Sequence, residues 1–211
     1  LELSARLARI FRITHIQNVR WVIENGLCCK NSPNQDPDFV QIGNPELIDK
    51  RAVWPVPINP GGVLADYVPF YFTPHSIMLY NIHTGYNGIR QVPNKDLVFI
   101  VSSIRKLEAA GRPFVFSDRH ALLRTAQFYN SSDDLGCIDW DLLQARDFRR
   151  DPDNPEKVER YQAEALVHGQ LAVDDIAGIV CYTENEKRTL VRSLEESGNE
   201  INVVARPTWY F

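Results

Sequence analysis

Arg160-Tyr161-Gln162-Ala163-Glu164-Ala165-Leu166-Val167-His168 sets a single acid at the entrance to an apolar run, just after a charged, proline-containing stretch. Ala165, Leu166 and Val167 read as strand, which places Glu164 half-buried at the strand's mouth. A half-buried carboxylate needs a partner or a job. The plainer alternative is a surface glutamate beside a core strand, because carboxylates with perturbed chemistry are a minority. The rest of the chain decides between them.

Outward from this segment, strands and helices mix without regular alternation. Leu97-Val98-Phe99-Ile100-Val101 is the strongest strand signal, followed by a short helix over 103–110 that Gly111 stops. Phe114-Val115-Phe116 reads as strand, Asp118 to Tyr129 as helix, and 140–146 as a further short helix inside a long excursion. Ile176 to Tyr182 is a strand, Asn185 to Gly198 an amphipathic helix, and 201–205 with Trp209-Tyr210-Phe211 a closing piece of sheet. Near the start, Ile13 to Ile16 reads as strand and Asn18 to Asn25 as a helix ended by Gly26. Residues 31–60 are proline-rich and irregular apart from a short helix at 45–50, yet carry Phe39, Val40, Ile42, Val53 and Trp54, which suits an ordered binding loop. The pattern predicts an α+β domain with a split, mainly antiparallel sheet and flanking helices, spanning 1–211 as one unit. No Gly-rich dinucleotide turn and no nucleotide-hydrolase phosphate loop is present, which argues against Rossmann-type or ATPase chemistry.

The 211 residues include 44% hydrophobic and carry a net charge of −4, enough for a sizeable core and unfavourable for coating duplex nucleic acid with the whole surface. Any nucleic-acid site is therefore local. No apolar run reaches the ~18 residues of a membrane span and the first residues lack a signal-peptide core, so a soluble, cytoplasmic protein is expected. Cys28, Cys29, Cys137 and Cys181 lack zinc-ligand spacing, and no metal site is expected.

Five segments in order, ITHIQN (13–18), DKRAVWPV (49–56), VPFYFTPHSIMLY (68–80), FSDRHA (116–121) and RYQAEALVHG (160–169), resemble the DarT family of bacterial DNA ADP-ribosyltransferase toxins. That group has a fold similar to poly-ADP-ribose polymerases and ADP-ribosylating toxins. The resemblance implies NAD as donor, loss of nicotinamide, and transfer of ADP-ribose to a base in single-stranded DNA. It also implies a cognate antitoxin that removes the ADP-ribose. Cleavage at the nicotinamide ribose passes through an oxocarbenium-like state, which a carboxylate stabilises. Glu164 fits that role, with Arg51 as the cation that keeps it ionised.

By the same resemblance His15 and Asn18 fix NAD, Tyr71 lies against the nicotinamide, and Arg51 pairs with the diphosphate while sitting near the acceptor base. Each has a plain alternative: a satisfied core histidine, a core aromatic in competition with Tyr67, Phe70 and Phe72, a solvated arginine. Arg51 is assigned charge stabilisation and positioning, because a guanidinium does not take up a proton; the group that accepts the proton of the target base is left open. The loop before the acid, with Arg119, His120, Tyr80 from the neighbouring segment, Arg149 and Arg150, offers rings and cations for single-stranded DNA. His75, where an arginine is expected in the family's Pro-x-Ser segment, is read as weakening a phosphate contact. Thymine is the favoured target base, and guanine the alternative branch. Transfer to protein, plain NAD hydrolysis, or an inactive single-strand-binding module are the competing functions.

Overall fold

The computed structural model describes residues 1–211, the side chain of Asn87 excepted. Ten strands are present: β1 (Arg9–His15), β2 (Leu27–Cys28), β3 (Tyr67–Tyr71), β4 (Leu97–Ser103), β5 (Phe114–Ser117), β6 (Phe128–Tyr129), β7 (Glu164–His168), β8 (Gln170–Leu171), β9 (Gly178–Cys181) and β10 (Val203–Ala205). Seven α-helices join them: α1 (Val19–Asn25), α2 (Pro45–Arg51), α3 (Ile77–Thr84), α4 (Ile104–Ala109), α5 (Trp140–Ala145), α6 (Lys157–Arg160) and α7 (Glu184–Ser197).

Eight strands form one sheet in the order β10-β9-β4-β1-β3-β7-β5-β6, and β2 pairs with β8 apart from it. All neighbours in the large sheet are antiparallel except β9 and β10. The centre is apolar on both faces, as the unbroken run of β4 foretells: Leu97, Val98, Phe99 and Ile100 are fully buried. Helix α7 lays Leu190 and Leu194 into this core and is held at its start by a reciprocal Thr183–Glu186 capping box.

The sheet is split where the sequence puts a proline. β1 runs alongside β4 over seven paired residues, but meets β3 only at Phe11 and Tyr71. Pro69 has no N–H to extend that ladder. Its carbonyl instead accepts a hydrogen bond from Arg12 Nη1 at 3.3 Å. β3 meanwhile pairs fully with β7, from Tyr67 opposite His168 to Tyr71 opposite Glu164. The consequence is a gap in the middle of the sheet, with the acid-bearing strand on one side of it.

Two expected elements differ. Residues 118–127 form turns rather than a helix, because side chains capture the backbone: the Gln127 N–H donates to Asp118 at 2.9 Å and Ser117 Oγ to the Arg119 carbonyl at 2.7 Å. The closing aromatic residues lie across the sheet without joining it: Pro207–Trp209 is a 3₁₀ turn, and the Tyr210 hydroxyl bonds to the carbonyls of Leu97 and Val180. No helix among the described residues is long and apolar enough to cross a membrane.

Candidate functional site

The gap opens into a cavity of about 440 Å³ whose walls include Arg12, Arg51, Tyr71, His120 and Glu164. Glu164 is 2% exposed, at the first residue of β7. Three neighbours hold its carboxylate. Arg51 Nη1 lies 2.8 Å from Oε2, the Ala121 N–H donates to Oε1 at 3.0 Å, and His120 Nδ1 is 3.3 Å from the same oxygen. Burial by itself would raise the Glu164 carboxyl, but Arg51 and His120, with the Ala121 N–H, outweigh it and hold the group below the ordinary carboxylate range. The acid is therefore an ionised carboxylate inside a cavity.

These partners arrive from two distant parts of the chain. Arg51 is the last residue of α2, a helix started by Asn44, whose side chain accepts from the Glu46 N–H, and by Pro45 in its first turn. None of α2's residues is fully buried, so the Arg51–Glu164 ion pair is its firmest visible anchor to the sheet. One of its nitrogens, Nη2, is buried with no hydrogen-bond partner. Such an orphaned donor beside a cavity is an invitation to a ligand acceptor. His120 and Ala121 lie on the turns that replaced the expected helix; a helix there would not have aimed that amide at the acid.

Tyr71 is next to Glu164 across the β3–β7 ladder and lines the same cavity. Burial, then the Glu164 charge, push its phenol far above the usual range, so it acts as a neutral ring and hydroxyl. Arg12 is not among the candidates read from the sequence. Its guanidinium lines the cavity, among the described residues it has no carboxylate partner, and burial brings its pKa down to about 10. The available signal was a lone arginine inside the apolar strand pattern Arg9-Ile10-Phe11-Arg12-Ile13.

The remaining sequence candidates divide. Asn18 is buried and lines the cavity, but its amide is spent: Nδ2 donates to Thr14 Oγ1 at 2.9 Å and to the Val40 carbonyl at 3.0 Å, and Oδ1 accepts from the Val40 N–H at 2.8 Å. It pins the irregular 31–44 loop to the end of β1. His15 lies off the cavity wall and accepts the Gln17 N–H on Nδ1 at 3.3 Å, so the structure does not bring it to Glu164. Arg119 is enclosed by Asp118, Glu156 and Glu159 at 3.2, 3.3 and 3.6 Å. Arg149 is paired to Asp147 at 2.8 Å, whereas Arg150 is exposed and carries no ion pair among the described residues. Tyr80 is 38% exposed, edge-on to Phe148 and Phe211 outside the cavity, while Met78 from the same helix lines it. His75 is buried, with Nε2 against the Thr208 carbonyl at 2.9 Å, which makes it a packing residue rather than a surface phosphate contact.

A split antiparallel sheet that delivers one ionised carboxylate into a cleft, beside an aromatic residue and paired to an arginine, is the layout of an ADP-ribosyltransferase. The comparisons agree. A family described as ssDNA thymidine ADP-ribosyltransferase, DarT, matches residues 11–211. A DNA ADP-ribosyl transferase of Escherichia coli O127:H6 is 49% identical over 210 residues, covering all of this chain and 96% of that one. The structure of Thermus sp. 2.9 DarT in complex with ADP-ribosylated ssDNA superposes with a TM-score of 0.90 at 31% identity, over 100% of this chain and 99% of the other. The same protein in complex with NAD+ gives 0.84 at 33% identity, over 97% and 98%. The chain belongs to the DarT family of ssDNA thymidine ADP-ribosyltransferases.

Proposed function

We propose that residues 1–211 form one ADP-ribosyltransferase domain that moves ADP-ribose from NAD to thymine in single-stranded DNA, with release of nicotinamide. The observation that carries this reading is the ionised, buried Glu164 facing the cavity between Tyr71 and Arg51. A carboxylate fixed by the Arg51 guanidinium and the Ala121 N–H needs no reorganisation as positive charge grows on the ribose, which is where electrostatic catalysis gains most. Tyr71 offers its ring to the nicotinamide. Arg12, Lys30 and Arg51, three cations against the carboxylates of Asp36 and Glu164, leave the cavity wall with a net positive charge suited to a diphosphate. Asn18 acts indirectly, through the loop it holds, and His15 contributes from the end of β1 without touching the acid.

Single-stranded DNA approaches the His120 side of the cavity. Arg119 and Arg149 are already neutralised by carboxylates, so Arg150 and the Tyr80 ring are the better-placed contacts for the strand. Action in the cytoplasm, where NAD and DNA meet, and control by an antitoxin that removes ADP-ribose from DNA complete the proposal. Incubation with labelled NAD and a panel of single strands and duplexes of varied base content tests it. Label on thymine-containing single strands is the expected result; label confined to protein, to guanine, or to free ADP-ribose sinks it.

A further inference from the structure

Arg51 reaches Glu164 from a helix with little of its own to hold it. No residue of α2 is fully buried, and Ala52 and Val53 behind it are exposed, Val53 at 77%. A long side chain on a loosely held helix samples many positions, and a displacement of about 1 Å at a reacting centre costs on the order of a hundredfold in rate. The 2.8 Å Arg51–Glu164 contact therefore needs an anchor close behind Arg51 in the chain. Of the segment DKRAVWPV (49–56), the site itself uses Arg51 alone, which leaves Trp54 and Val56 free for that work.

From Trp54 the chain closes on itself. The Leu64 N–H donates to the Trp54 carbonyl and the Val56 N–H to the Gly62 carbonyl, both at 2.9 Å, and Pro55 bridges to Val63. The Tyr67 hydroxyl, from the first residue of β3, donates to the Gly61 carbonyl at 2.6 Å and ties the loop to the sheet. Val56 and Leu64 are thereby buried in a small apolar cluster separate from the main core, together with Ala121 from the turn and Leu166 from β7. The partly buried Trp54 and Leu122 pack against it. Side chains alternate along β7: Ala165 and Val167 belong to the main core, and Leu166 to this cluster, on the face that also carries Glu164.

The cluster thus touches every segment that supplies the carboxylate's surroundings. Ala121 places its methyl in it and donates its N–H to Glu164 at 3.0 Å; the Leu122 N–H donates to His120 Nδ1 at 3.2 Å; and Trp54 follows closely on Arg51. We propose that Trp54 is a positioning residue for the transfer. Through the cluster it fixes the Arg51 guanidinium and the 120–122 turn against Glu164, without lining the cavity itself. Val56 and Leu64 are sealed inside and hold the loop together, whereas the broad, stiff indole lies nearest Arg51 and carries the loop's first backbone bond. The main core would survive its loss, because the cluster is a satellite of that core rather than a part of it. What would be lost is the alignment of one arginine and one turn with one acid, which is what a rigid supporting layer contributes to a site.

This role rests on the proposed function, and two measurements keep them apart. The first is steady-state transfer from NAD to a thymine-containing single strand by the native chain, Trp54→Ala, Trp54→Phe and Leu190→Ala, the last loosening the main core under α7. For Trp54→Ala, kcat falls about thirtyfold or more while the KM for NAD stays within about threefold, and Trp54→Phe recovers to within about fivefold of native. Leu190→Ala keeps kcat within about twofold although its unfolding midpoint drops at least as far. A Trp54→Ala kcat within about fivefold of native, a rise in KM alone, or an equal loss of kcat in Leu190→Ala overturns the positioning role. The second measurement needs no activity: the departure from additivity between Arg51→Ala and Glu164→Gln in unfolding midpoints, with Trp54 in place and with Trp54→Ala. It shrinks by about half or more without the indole; an unchanged value overturns the role. A native chain that leaves thymine strands unmodified overturns the proposed function, and the second measurement then decides the role of Trp54 by itself.

Discussion

Glu164→Gln isolates the charge of the acid from its shape. The amide keeps an oxygen to accept the Ala121 N–H and occupies nearly the same volume, so the end of β7 retains its packing. What disappears is one negative charge next to the forming oxocarbenium. At ~4 Å and an effective dielectric constant of about 20, a unit charge pair is worth about 4 kcal/mol, or roughly a thousandfold in rate. The charge that Arg51 faced disappears as well, leaving a mostly buried guanidinium with an amide for company, so some loss of stability accompanies the loss of rate. The assay is single-turnover ADP-ribosylation of a thymine oligonucleotide, with NAD affinity and thermal unfolding measured on the same preparation. A loss below about tenfold in transfer, with NAD bound normally, refutes the claim that the Glu164 charge drives the reaction. Collapse of NAD binding in step with the rate would assign Glu164 to binding instead.

Three further outcomes follow from the same geometry. Arg51→Ala lowers transfer more than NAD affinity, because the residue is paired to the acid and its loss leaves the Glu164 charge unsupported; equal losses in the two measurements would make its role binding alone. Arg12→Met removes a cation that has one long backbone hydrogen bond and no ion-pair partner among the described residues, so NAD affinity drops by about tenfold while the unfolding midpoint holds or rises; a clear fall in the midpoint with NAD affinity intact would make Arg12 a structural residue. In acid, Glu164 has a folded-state pKa below its ordinary value of about 4.3, so its contribution to stability is complete above that pH and is lost as pH falls through the folded value. Urea unfolding over that range should show a shallower pH dependence for Glu164→Gln than for the native chain, and identical slopes would contradict the ion-pair account.

The sequence was most readable where local pattern and global fold agree. The β4 run, the capped α7 and the acid at the start of β7 all follow from residues close in the chain, and the fold places that acid on the wall of the cavity. The turns at 118–127 were not legible, because Ala121, Leu122, Leu123 and Ala126 mimic a helical face while Asp118 and Ser117 bond the backbone into a loop. The fate of the basic residues was hidden for a different reason. Arg119 meets Glu156 and Glu159, and Arg12 meets the Pro69 carbonyl, through contacts tens of residues apart that composition cannot reveal. Asn18 shows a third case: it lines the cavity, and its three hydrogen bonds to Thr14 and Val40, the latter 22 residues away, were invisible in the sequence.

Mass spectrometry of a thymine-containing single strand after incubation with NAD and the native chain, with Glu164→Gln alongside, tests the central claim most directly. The account predicts one added ADP-ribose per modified strand, fragmenting on the thymine ring, with the product nearly absent for the variant. An unmodified strand, ADP-ribose on another base, or equal product from both proteins would contradict it.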